Sequence, residues 1–336
     1  MRTFTLLWLM ATLSFMPLSM AASKSGSVRG GQMYEIPDWF KVSFLDMKED
    51  AGEASAKQKG VMLFMHLDGC PYCTRMLNEN FLSGNNQNYI QENFDVIAIN
   101  ILGGRETTWA DGQSYTEKEL AAKLKVHFTP TIVFLDDKAE TILQINGYRK
   151  PRTFRQTMEY IQSKSYQKLS LAQYIEQQAV ADTYPFIANK RFTKPDNLLG
   201  QKRPLALMFE DKHCEDCTEF HKTVLQHPQV QEEADKYIWV RLDAYSETPI
   251  SDIHGKQTSA KQWAKDLGLD YRPGIILFNE GQEQSRIDGR LYHFHFKEAL
   301  RYVSGKFYEE YPSYNAYLIA RQQQLLLQGV DIDFSR

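Results

Sequence analysis

The chain has only four cysteines in 336 residues, and none stands outside a Cys-x-x-Cys pair: Cys70 with Cys73, Cys214 with Cys217. A secreted protein stapled by disulfides scatters its cysteines over distant loops, so a structural disulfide framework is excluded. Past the amino terminus no hydrophobic run approaches the roughly 20 apolar residues that a bilayer span needs. An excess of one charge is also lacking. The formal net charge is -3, and the basic residues form no patch interleaved with aromatics. Nothing therefore points to nucleic acid. A metal centre has little to build on: His293 and His295 have no carboxylate or third histidine fixed nearby in sequence. Four of the eleven methionines fall in the first 20 residues, which leaves no methionine cluster for copper.

What is present begins with Met1-Arg2-Thr3, an apolar stretch from Phe4 to Met20, and Ala21-Ala22-Ser23. One positive charge, an apolar core and small residues predict a secretory signal peptide over residues 1–22. Thr12, Ser14 and Pro17 interrupt the stretch and argue against a membrane anchor. No cysteine follows the cleavage site as a lipid acceptor. The expectation is a periplasmic or otherwise exported, soluble protein with no membrane insertion after cleavage.

Val61 to Met65 is an apolar run of strand length that breaks at Asp68-Gly69 and delivers Cys70-Pro71-Tyr72-Cys73 at the head of a predicted helix. Unpaired N–H groups and the positive dipole end favour a thiolate there, and the thiolate is the nucleophile of disulfide exchange. Pro71 suits the first turn of a helix. The arrangement recurs: Leu205 to Phe209 runs into Cys214-Glu215-Asp216-Cys217, 144 positions on. Pro130 and Pro273, each ahead of an apolar strand, are 143 apart, and Gly147 and Gly289 are 142 apart. Three landmarks in one order, with drift of one residue each, are an internal duplication.

Together these motifs resemble the thioredoxin fold over about two thirds of the chain. The stretch from Tyr115-Thr116-Glu117-Lys118-Glu119-Leu120 through Val126-His127-Phe128-Thr129-Pro130-Thr131 is most similar to SoxW-like periplasmic thioredoxins. The resemblance implies an α/β protein of two tandem thioredoxin-like domains, each a mixed central sheet flanked by helices, with a C-terminal helical tail. The expected divisions are 33–165 for domain one, 166–203 for a helical connection and linker, 204–306 for domain two and 307–336 for the tail. The sequence departs from the family in lacking an acid six residues before either first cysteine, where Phe64 and Met208 stand.

The resemblance further implies thiol–disulfide exchange with protein substrates. Cys70 is the attacking sulfur and Cys73 the resolving one, with Cys214 and Cys217 in the same roles. The Thr129–Pro130 and Arg272–Pro273 peptides are expected to be cis and to face the sulfurs. Pro71, Tyr72, Thr129, Pro130, Arg272 and Pro273 would then border substrate. His66, four residues before Cys70, is the candidate for proton transfer, with a satisfied buried histidine as the alternative. Glu215 and Asp216 disfavour a thiolate at Cys214, so the second pair is expected to be the more reducing; it is a working site, a relay or a scaffold copy. No cofactor is implied. A reductant in an exported compartment would draw electrons from a membrane donor. The competing readings are a partner-binding or chaperone module on thioredoxin folds and a thiolate metal carrier. A zinc site made from the four cysteines fits poorly with two pairs that each trail their own proline strand.

Two polar insertions, residues 103–114 and 244–258, read as surface loops. Residues 189–204 read as linker, and His293 and His295 alternate on a strand-like stretch.

Overall fold

The computed structural model describes residues 25–31, 33–178, 184–194, 198–201 and 203–334; the expected signal peptide lies outside them. The described chain opens with a two-residue strand, β1 (Val28–Arg29). The Asp46 carboxylate then accepts from the N–H groups of Lys48 and Glu49 and starts α1 (Met47–Ala56), satisfying donors that a helix start leaves unpaired. The apolar run forms β2 (Gly60–His66), and the first cysteine pair heads α2 (Pro71–Met76), which continues through one wide π turn, Leu77–Phe81. Next come α3 (Gly84–Asn93) and β3 (Phe94–Asn100).

The first insertion is a hairpin, β4 (Glu106–Thr108) against β5 (Ser114–Thr116), where a loop was expected. Gly112, at φ 77°, lets the chain reverse inside it. Thr116 and Glu119 make a reciprocal capping box for α4 (Glu117–Lys123). Domain one closes with β6 (Thr131–Leu135), β7 (Thr141–Asn146) and α5 (Pro151–Gln162).

Its sheet has the order β3-β2-β6-β7, with β2 parallel to β3 and antiparallel to β6. Met65 pairs with Thr131. The register thus delivers the Cys70 loop and Pro130 at the same end of the sheet.

Ser170 caps α6 (Leu171–Gln177) as its sequence suggests. The expected linker needs correction. Within it, β8 (Phe192–Thr193) joins the second sheet, parallel to β10 (Ile238–Asp243). Two residues are too few to show a periodicity, but Phe192 packs edge-on against the buried Trp239. Domain two then repeats the order with β9 (Leu205–Glu210), α7 (Glu215–Lys222) and α8 (Pro228–Ala234). The second insertion is also a hairpin, β11 (Pro249–Ser251) with β12 (Gln257–Ser259), followed by α9 (Ala260–Asp266), β13 (Gly274–Asn279) and β14 (Gln282–Ile287). Phe209 pairs with Gly274, so Cys214 and Pro273 also emerge together.

His293 and His295 lie in the first turn of α10 (His293–Ser304), not on a strand. The alternation His-Phe-His-Phe mimics a period of two, but a helix carries Phe296 into the core and Phe294 onto Phe334. The tail forms α11 (Tyr314–Leu327), and β15 (Ile332–Asp333) returns to pair with β1. Tyr314 and Tyr317 are buried, and the Tyr317 hydroxyl donates to Glu298 at 2.6 Å. The tail therefore docks on its own protein. Among the described residues, no helix is long and apolar enough to cross a membrane.

One apolar cluster occupies the faces of both sheets that carry the cysteine helices, from Phe64 and Phe81 to Met208, Trp239 and Phe296. Separate clusters fill the opposite faces.

Candidate active site

Each first cysteine is the N-cap of its helix. The Cys73 N–H points at Cys70 Sγ at 3.1 Å, and the Cys217 N–H at Cys214 Sγ at 2.9 Å. An N-cap position leaves these donors free for an anion. Both pairs are disulfide-bonded. Cys70 is 6% exposed and Cys73 not at all; Cys214 and Cys217 are 7% and 4% exposed. Both Thr129–Pro130 and Arg272–Pro273 are cis. The Thr129 hydroxyl donates to Cys70 Sγ at 3.3 Å, and the Thr129 carbonyl oxygen lies 3.4 Å from the same sulfur.

Phe64 and Met208 are fully buried beneath the two helices. His66, at the end of β2, is buried, and its Nδ1 lies 2.8 Å from the Tyr34 hydroxyl. That hydroxyl donates to the Leu67 carbonyl at 2.9 Å. One proton cannot serve both, so Nδ1 carries the hydrogen and Nε2 is left as the basic nitrogen. Burial pushes the His66 pKa below the ordinary histidine range, against attraction to Asp68 and Glu117.

Tyr72 is not open to solvent. It stacks on Tyr292 with ring centroids 4.8 Å apart. Its hydroxyl accepts from the Tyr292 N–H at 2.8 Å and lies 3.0 Å from His295 Nδ1. Arg272 is likewise committed: its guanidinium donates to the carbonyls of Leu269 and Tyr271 and lies 3.7 Å from the buried Asp211.

These contacts belong to an approximate two-fold arrangement of the two domains, which sequence reasoning missed. Gly147 and Gly289 meet back to back, and Asn146 donates to Asp288 at 2.9 Å. The residue three beyond each glycine then reaches the other domain's cysteine loop. Tyr292 covers Tyr72, while Lys150 lies 2.9 Å from Asp216 and 3.1 Å from Glu215. The same two positions carry an aromatic stack at one centre and an ion pair at the other. Burial works against the Lys150 ammonium, but its bonds and attraction to Asp216 and Glu215 outweigh that and raise its pKa. The glycine repeat at spacing 142 was the sequence signal for this contact, though not for its two-domain character.

The centres also differ in what surrounds them. Beside Cys70 lies a cavity of about 200 Å³ with mainly apolar walls, among them Leu67, Phe128, Leu291 and Leu318 from both domains and the tail. Beside Cys214 a cavity of about 140 Å³ is lined by Lys150, Asp211, His213, Asp270 and Arg272. Burial pushes the Asp211 and Asp270 carboxyls above the ordinary range. Among the described residues, no group of three or more His, Cys, Asp or Glu is placed to hold a metal ion.

A sulfur pair at a helix head, beside a cis-proline loop, is built for one reaction, the transfer of a disulfide from one dithiol to another. This is a thiol–disulfide oxidoreductase with two centres. The chain belongs to the thioredoxin-like domain family, whose pattern matches residues 47–162 and 193–304. Among solved structures it is similar to a thioredoxin-fold protein from Helicobacter pylori, at 26% identity over 36% of this chain and 84% of that one, with a TM-score of 0.32. A thioredoxin from Thermus thermophilus is 22% identical over 41% and 87%, with a TM-score of 0.28. The C-terminal domain of Neisseria meningitidis DsbD in its reduced form is 20% identical over 32% and 83%, with a TM-score of 0.24. No curated protein sequence matches the chain.

Proposed function

We propose that the protein is exported and exchanges disulfides with protein substrates as a reductant, with Cys70 attacking and Cys73 resolving. The observation that carries the order of attack is the pairing of Cys70 with the Thr129 hydroxyl at the rim of a cavity, while Cys73 is wholly covered. Substrate backbone would lie along Thr129 and Pro130, beside Pro71, and at the second centre along Arg272 and Pro273. Cys214 and Cys217 form a second working pair in the same orientation. The amino-terminal sequence supports export; no thiol buffer then recharges the dithiols, and a membrane electron donor would do so. His66 Nε2 is the group proposed to move the proton at the first centre.

The test is a trap. Cys73→Ala in the mature chain should accumulate mixed disulfides with protein substrates on non-reducing gels, and Cys70→Ala should accumulate none. The unaltered protein should reduce insulin with dithiothreitol as electron source. Trapping by Cys70→Ala alone would reverse the roles, and no trapping with no insulin reduction would leave a binding module.

A further inference from the structure

Four residues before Cys214, at the end of β9, domain two carries Glu210 where domain one carries His66. Glu210 and His221 are each 1% exposed, and Oε1 of one lies 2.5 Å from Nε2 of the other. Domain one has Leu77 at the position of His221, so the pair exists in one copy only. Burying a carboxylate and an imidazole together is costly compared with apolar filling, and α7 is otherwise an ordinary cysteine helix.

The pair's placement supplies a use. Cys217 and His221 are i and i+4 on α7 and share its buried face. Residues so spaced have Cβ atoms about 5–6 Å apart. The imidazole is therefore one helical turn from the more buried sulfur of the pair. The Glu210 carboxylate accepts from Nε2–H, which leaves Nδ1 as the basic nitrogen. Nδ1 is buried and has no hydrogen-bond partner. Rings of Phe192 and Phe220 pack against the imidazole. The charged groups on neighbouring elements are spoken for: Arg241 of β10 lies over Phe192 and donates to the Ile187 carbonyl, and Asp211 after β9 faces Arg272.

We propose that the Glu210–His221 pair accepts the proton that Cys217 must lose before it can resolve a mixed disulfide at the second centre. This rests on the reading that the second pair exchanges. Once a substrate disulfide is attacked by the Cys214 thiolate, one substrate sulfur is bonded to Cys214 and the other has left as a thiolate. The Cys217 thiol passes its proton to His221 Nδ1, and the imidazolium is held by Glu210. The Cys217 thiolate attacks Cys214 Sγ, the Cys214–substrate bond breaks, and the second substrate sulfur departs as a thiolate. The substrate gains two electrons and the pair loses two; the proton then leaves His221 for the departing thiolate or water. Cys217 is buried, so water is a poor acceptor for its proton and a local base is needed.

The test uses the full mature chain with Cys70→Ser and Cys73→Ser, so that only the second pair reacts. The reduced protein is mixed with oxidised glutathione, and acid-quenched mass measurement follows glutathione joining Cys214 and then leaving it. Glu210→Gln and His221→Gln should lower the ratio of release to joining about 10²-fold at pH 7, and Glu210→Asp should restore part of it. In the unaltered pair, release should level off below the ordinary thiol range. In the two variants it should climb tenfold per pH unit towards about 8.5. Unchanged release and profile in both variants would make the pair a structural contact and overturn the proposal. Circular dichroism checks folding. If neither variant folds, the unaltered pair decides, because release that climbs without levelling until about pH 8.5 also overturns it. If Cys217→Ser never retains glutathione, exchange at the second centre fails and the proposal falls with it.

Discussion

Lys150 changes the electrostatics of the second centre. Read from sequence, Glu215 and Asp216 oppose a thiolate at Cys214, and only His213, just before it and only if protonated, answers them. In the folded chain the Lys150 ammonium lies within 3.1 Å of both carboxylates, and Arg290 is 3.6 Å from Asp216. The carboxylates are legible because they sit between the sulfurs; their partner is 65 residues or more away in sequence, and no local pattern announces it. Removing the cation restores the expected asymmetry. Lys150→Gln should leave the Cys214 thiolate less stabilised and so destabilise the dithiol, making the second pair more reducing. For a half-exposed pair a loss of about 0.5–1 kcal/mol is reasonable, or roughly 10–20 mV. Equilibration of the full chain with a glutathione redox series, with site-specific thiol labelling, checks this; an unchanged second potential would mean the lysine does not reach the sulfur. Glu210 is hidden for a related reason: the family's acid stands six residues before the cysteine, whereas Glu210 stands four before it, two residues along the same face of the strand.

At the scale of elements, most of each domain was legible. Strand, cysteine helix and both proline strands appear where local pattern put them, because each is specified by neighbours in sequence. The hairpins at β4-β5 and β11-β12 look like loops in sequence, since three-residue strands with polar side chains show no alternation of hydrophobicity. The join between the domains was illegible. It depends on two glycines facing each other, and sequence shows only that each exists. A methyl group on Gly289 would stand 2.6 Å from the Asn146 carbonyl oxygen and 3.2 Å from Gly147 Cα. Gly289→Ala should therefore destabilise the join by about 1–3 kcal/mol and, in small-angle scattering, expand the chain while both domains stay folded. Tyr72→Phe tests the other half of the join. It would leave the half-buried Tyr292 N–H and the buried His295 Nδ1 without the hydroxyl they share. A cost of about 1–3 kcal/mol in chemical denaturation follows; a smaller change would mean the stack of rings carries the contact alone.

The whole molecule should be sensitive to acid through that same join. His295 is buried between the cysteine loop of one domain and the tail of the other, with Tyr72 on its Nδ1 and Phe334 against its ring. Burial pushes its pKa down to about 3, and the neighbouring His293 adds to this. In an unfolded chain the imidazole titrates near 6.5. The stability gained from keeping it neutral is therefore complete above about pH 6.5. It drains away as pH falls from there towards about 3, because only the unfolded chain takes up the proton. Burial displaces His66, His127 and His227 in the same direction. Asp211 and Asp270, held up by burial, act oppositely and favour the folded state at lower pH. Glu219, held down to about 2 by Arg290, loses its contribution only below the ordinary carboxylate range. Comparing the chain with His295→Gln cancels these shared terms, since glutamine accepts the Tyr72 hydroxyl but does not titrate. Between pH 7.5 and 5 the unaltered protein should lose up to about 2 kcal/mol more than the variant, at most 1.4 kcal/mol per pH unit below 6.5. Melting curves at each pH measure the difference, and scattering at pH 5 should show the unaltered domains parting first. Parallel curves would assign the acid sensitivity to the other histidines, and the join would then be a passive contact.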